Sequence, residues 1–247
     1  MNVFDLTLLR TRLLKIARFK PLAGLIHSAQ SYESAAHDLR TALECLDILR
    51  LGGPVEISEV KGLAATRVKG EVRAALMMRA VFLYTRTVDS QFNRRNTNGL
   101  LKGLSVAQRA AHDTIREIRN SAFAHFGHEA TFSSPWNKEA LIISIFDVES
   151  YYSLAYSRQN VQNDAAVKLA EVVSVVLANA EALRLRAIDL LHNEYDKQCD
   201  KELLSLTRQC VFDEAKFYGG DPDSLRTFEA RQRESEEANA RAKSIQT

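Results

Sequence analysis

The chain has 247 residues, of which 46% are hydrophobic and 26% charged, and a formal net charge of +2. That is enough apolar material for a buried core and too much for a disordered chain, and no uncharged apolar run nears the roughly 20 residues that cross a bilayer. With only 10 Gly and 4 Pro, the composition favours a mainly α protein over a turn-rich β fold.

Leu6, Leu9, Leu13 and Ile16 recur at helical spacing opposite Arg10, Arg12, Lys15 and Arg18, which predicts a basic amphipathic first helix packed on the body of the protein. Asp5 and five later basic residues break up the leucines of the first twenty positions, so no secretory leader is expected. Pro21 and Gly24 read as a break. A second helix is expected from about Ser31 to Leu51, with Leu39, Leu43, Leu46 and Leu49 inward, stopped by Gly52-Gly53-Pro54. After a short segment from Ser58 to Thr66, a long helix is expected from about Val68 to Arg94, with Val72, Leu76, Val81, Tyr84, Val88 and Phe92 as its stripe.

A polar, basic loop at Arg94-Arg95-Asn96-Thr97-Asn98-Gly99 leads to Ser105, which with Gln108 spells a capping box. The helix begun there carries an apolar stripe of Ala111, Ile115, Ile118 and Ala122, and should end near Phe126-Gly127. Thr131-Phe132 and Leu141 to Phe146, separated by Ser134-Pro135-Trp136-Asn137, read as a β-hairpin over about 129–148. Long helices follow at about Asp164 to Asp196 and Lys201 to Tyr218. Beyond Gly219-Gly220-Asp221-Pro222 the charges alternate along a tail, 221–247, that reads as frayed or disordered. The expected architecture is one helical bundle, residues 1–220, with a small hairpin insertion.

Cys45, Cys199 and Cys210 are odd in number and lack metal-ligand spacing, which predicts inert thiols in a reducing, cytoplasmic setting. Charge is uneven. From Arg67 to Arg119 there are eleven Lys or Arg against four Asp or Glu, a local +7 that leaves −5 for the remainder. A solvated helix face and a polyanion-binding surface both fit that excess.

At the end of the basic stretch stands Arg119-Asn120-Ser121-Ala122-Phe123-Ala124-His125. One position round from the apolar stripe lie His112, Arg116 and Arg119, a cationic edge able to hold phosphates, with Arg94, Arg95 and His128 as further contributors. An arginine can steady charge on a phosphorane-like transition state, and a histidine titrating near neutral pH can move the protons of a 2′-OH attack on RNA. His125 lies six residues, about 120° on an ideal helix, from Arg119, so the two do not converge on one straight helix. They converge if the helix stops at Ala124 or if a symmetric partner supplies the second copy.

The spacing alone is uninformative, because Arg186 and His192 repeat it; context separates the two. Ile118 to His125, with Asn120 after the arginine and Ala124 before the histidine, resembles the signature of HEPN domains, a helical ribonuclease superfamily, in its abortive-infection and toxin–antitoxin branches. The likeness extends over roughly Arg73 to Gly127. It implies a homodimer whose motif helices face each other in a shared cleft, metal-independent endoribonuclease activity without a cofactor, and an antitoxin partner such as a nucleotidyltransferase. On that reading Arg119, Asn120 and His125 are catalytic. Many members of the family bind nucleotide, RNA or protein without cutting, which is the alternative function. His125 with His128 lacks third and fourth ligands at supportive spacing, so a metal site is not expected.

Overall fold

In a computed structural model of the chain, the described residues are 3–51, 63–89, 99–124, 137–146, 149–158 and 163–219, with 221, 226, 227 and 230. The protein is mainly helical. Its α-helices are α1 (Leu6–Leu13), α2 (Lys20–Leu51), α3 (Leu63–Val88), α4 (Val106–Ala124), α5 (Asn163–Gln198), α6 (Lys201–Arg208) and α7 (Glu214–Phe217). Two strands, β1 (Asn137–Phe146) and β2 (Glu149–Arg158), pair antiparallel with Asn137 opposite Arg158 and Phe146 opposite Glu149. No described helix is long and apolar enough to cross a membrane. The chain divides into two compact units, one formed by 1–23 with 194–247 and the other by 24–193.

In the first unit α1 packs on α6. Asp5 caps α1 by accepting hydrogen bonds from the backbone N–H groups of Thr7 (2.7 Å) and Leu8 (3.0 Å). Leu9, Leu13, Phe19, Leu203 and Cys210 are buried. The helix expected over Lys201 to Tyr218 is interrupted, and the cause is non-local. Phe4 and Val211 form a bridge, with the Asp5 N–H donating to the Cys210 carbonyl and the Phe212 N–H to the Val3 carbonyl. Backbone groups spent on that bridge cannot serve a helix.

The break expected at Pro21 and Gly24 is also absent, since α2 already runs from Lys20. A proline in the first turn of a helix sacrifices an N–H that has no partner there in any case. The β pairing differs from its expected place as well. Leu141–Phe146 lies on β1, but the partner strand is Glu149–Arg158, a Tyr-rich run after it; 129–136, where the other arm was expected, lies outside the described residues.

The second unit is built around one apolar core drawn from four helices: Leu39 and Leu46 of α2, Val81 and Tyr84 of α3, Ile115 and Ile118 of α4, and Leu169, Val172 and Val176 of α5. Charged pairs edge this core. Asp38, only 5% exposed, accepts from Arg86 on α3 at 2.5 and 3.1 Å, and the Arg86 guanidinium also lies 5.6 Å from the Phe82 ring centroid. Arg86→Ala removes a guanidinium from a nearly dry carboxylate and is expected to cost about 2–3 kcal/mol. Urea unfolding measures it, and a loss under about 0.5 kcal/mol, the scale of an exposed pair, would contradict the assignment.

Between α2 and α5, Glu181 accepts from Arg40 (2.7 Å) and from Arg184 (2.7 Å), and Arg184 also reaches Glu33 (3.2 Å). Burial pushes the Glu181 carboxyl up, but the hydrogen bonds from Arg40 and Arg184 outweigh it and hold the group below its ordinary 4.5. Its stabilisation is therefore present above that value and lost as pH falls through the lower folded one. Glu181→Gln should be less stable by about 0.5–1 kcal/mol at pH 7, with the gap closing in acid. Unfolding at pH 7 and again well below the folded value tests the sign.

The start of α4 is fixed from two directions. Gly99 (φ 88°) and Gly103 (φ 78°) take left-handed conformations that a side chain would strain. Asn179 of α5 donates to the carbonyls of Leu100 (2.9 Å) and Lys102 (2.8 Å), clamping this turn over the core. The capping box then forms. The Gln108 N–H donates to Ser105 Oγ (3.2 Å) and the Ser105 N–H to Gln108 Oε1 (2.9 Å).

Candidate functional site

α4 presents the residues that the sequence singles out. Ile115 and Ile118 point into the core and Ala111 packs on it, so these three residues of the apolar stripe face inward. His112, Arg116 and Arg119 fall within an arc of about 60° around an ideal helix, but they do not share one environment. His112 is 9% exposed, Arg116 has 43% of its side chain in solvent, and Arg119 is half-buried. The same helical edge thus starts under α3 and emerges toward the C-terminal end of α4.

His112 therefore sits in the α3–α4 contact rather than on an open phosphate-binding surface. Its Nδ1 lies 2.7 Å from the Tyr84 hydroxyl, and the rings meet edge to face with centroids 5.8 Å apart. Tyr84 is fully buried. Burial holds the phenol well above its ordinary value, with the Asp113 carboxylate pushing the same way, so the hydroxyl keeps its proton. Burial also lowers the imidazole, which keeps His112 neutral near pH 7. A neutral imidazole and a protonated phenol satisfy one another without burying a charge.

Four residues further along α4, Arg116 Nη2 approaches Asp89 at 3.7 Å, immediately beyond the end of α3. One turn on again, the Arg119 Nη1 donates to Asn120 Oδ1 at 2.9 Å, and Asn120 is exposed. That bond orients the guanidinium from its own neighbour in sequence. Arg119 and Asn120 are brought together, with Arg116 one turn below. His125, His128, Arg94 and Arg95 lie outside the described residues. Arg186 and His192, the second pair at the same spacing, are both exposed on α5.

Two partners escaped the sequence reading. Tyr84 belongs to a core stripe by its spacing, and nothing local connects it to His112, 28 positions away. Asp89 is the only acidic residue between Glu71 and Asp113 in a strongly basic stretch, which is the signal that marks it as a partner for one of those cations. Among the described residues no three His, Cys, Asp or Glu side chains gather as metal ligands would. Burial pushes the Cys45 and Cys210 thiols up, away from the thiolate form that reacts. Comparison of the chain with family models, curated proteins and solved structures finds no match.

Proposed function

We propose that the chain is a metal-independent endoribonuclease of HEPN type, acting in the cytoplasm in defence or as the toxin of a toxin–antitoxin pair. The observation that carries the reading is the Arg119–Asn120 hydrogen bond at the open end of the α4 edge, six residues before His125 in the sequence. It pre-orients a planar five-donor cation, the side chain best suited to hold a phosphate in two-point contact. Arg116, half-exposed one turn away, extends the cationic edge along a polyanion.

The roles follow from the residue types. Arg119 stabilises charge that builds on the non-bridging oxygens as the 2′-OH attacks phosphorus. Asn120 keeps Arg119 aimed. His125 takes the 2′-OH proton, and the His125 of a second copy returns one to the departing 5′-oxygen, which leaves a 2′,3′-cyclic phosphate. A homodimer with a HEPN-like bundle, its α4 helices facing across a two-fold axis, supplies both histidines. A neutralising protein such as a nucleotidyltransferase would cover this cleft.

Purified protein should degrade a generic RNA in EDTA, leaving cyclic-phosphate or 3′-phosphate ends. RNA that is bound and never cut would sink the enzymatic reading in favour of a binding module. A strictly monomeric chain with full activity would sink the two-histidine scheme.

A further inference from the structure

The cationic edge of α4 is only as well placed as α4 itself, and what holds α4 against α3 at that edge is a polar contact between two buried rings. Tyr84 and His112 meet at 2.7 Å inside the contact, and Arg116 and Asp89 meet at 3.7 Å at its margin. His112 stands one turn before Arg116 and two before Arg119 on nearly the same face. If α4 turned by about 20°, a guanidinium roughly 8 Å from the helix axis would swing by about 3 Å. Misplacements of about 1 Å already cost an oriented site two orders of magnitude.

We infer that Tyr84 and His112 are positioning residues for the Arg116–Arg119 edge, holding it while the imidazole is neutral and releasing it when the imidazole gains a proton. The inference rests on reading that edge as phosphate-binding. A second proton on His112 puts a positive charge into the dry contact between α3 and α4. The groups that face the ring divide evenly in sign. Arg116 and Arg109 on α4 oppose the charge, Asp113 on α4 and Asp89 after α3 favour it, and Tyr84 of α3 is uncharged. Burial is the largest of these influences, and it favours the neutral ring.

In the unfolded chain the same histidine protonates near its ordinary 6.5. The unfolded or locally opened state therefore binds the proton first, so the contact is at full strength above that value and weakens as pH falls below it. Acid loosens the edge. His112→Asn separates titration from hydrogen bonding, because its amide oxygen takes roughly the place of Nδ1 and accepts from the Tyr84 hydroxyl at every pH.

Amide hydrogen exchange of the full chain tests this without any RNA. Protection factors over Ile115 to Arg119, corrected for intrinsic rates, should fall about tenfold in wild type between pH 7.5 and 5. In His112→Asn they should stay level across that range, and in Tyr84→Phe they should be low already at pH 7.5. Parallel profiles for wild type and His112→Asn overturn the inference. If His112→Asn does not fold, the ring of His112 itself decides by NMR, since a titration midpoint at or above 6.5 overturns it and a lower one upholds it.

The positioning role is read with a 2′-O-methyl oligonucleotide, which carries phosphates but no attacking hydroxyl. At pH 7.5 Tyr84→Phe should bind it at least about fivefold more weakly than wild type. Equal affinities, or no binding by wild type, overturn the inference. Wild type that binds this probe yet never cuts natural RNA sinks the ribonuclease reading alone.

Discussion

Arg119→Ala is expected to lower RNA cleavage by about 10²–10³-fold, the cost of removing one preorganised electrostatic donor from a transition state. His125→Ala should fall at least as far, since it removes proton transfer at both ends of the displacement in a symmetric dimer. Arg119→Lys keeps the charge but loses the planar fork that two-point phosphate contact needs, so it should recover only a small part of the activity. Asn120→Ala should lie between wild type and Arg119→Ala, because it removes one bond that orients Arg119 without deleting the guanidinium. Arg186→Ala is the internal control. It carries the same arginine-to-histidine spacing on an exposed face of α5, and it should leave cleavage unchanged. Initial rates on one RNA in EDTA, with circular dichroism to show that each variant is folded, decide the matter. Equal rates for wild type, Arg119→Ala and His125→Ala would end the proposal, and loss on Arg186→Ala would show that charge at large, not this motif, carries the effect.

Legibility followed the range of the forces involved. The capping box at Ser105 and Gln108 is a four-residue device, and both of its hydrogen bonds form as spelled. The long α5 helix and the inward stripe of Ile115 and Ile118 follow from periodicity over many turns, where summed preference is strong. Pro21 misled because the same residue ends one helix or opens the next, and only the neighbouring structure says which. The gap between α6 and α7 depends on a strand contribution from Phe4, about two hundred positions away. The candidate site shows the same division. Spacing sets His112, Arg116 and Arg119 on one edge of a helix, but whether an edge is wet depends on what crosses it. Tyr84 covers one end of it, and that turned an expected phosphate contact into a core histidine.

Tyr84→Ala is expected to destabilise the protein by about 3–5 kcal/mol. The ring is fully buried among α2, α3, α4 and α5 residues of one core, so its removal leaves a cavity that close-packed neighbours fill only in part. It also takes the hydroxyl from a nearly buried imidazole nitrogen. Tyr84→Phe removes the second effect without the first, since the ring remains, and the unsatisfied His112 should cost about 1–3 kcal/mol. The difference between the two variants is then the packing contribution, and the Phe variant alone measures the polar one. Replacing His112 by Leu in the Tyr84→Phe background should return part of the loss, because two apolar partners of similar bulk leave nothing unpaired. Urea unfolding of wild type, Tyr84→Phe, His112→Leu and the double variant closes that cycle. If Tyr84→Phe costs nothing, the hydroxyl does not hold α4, and the cationic edge is positioned by the apolar stripe beneath it alone.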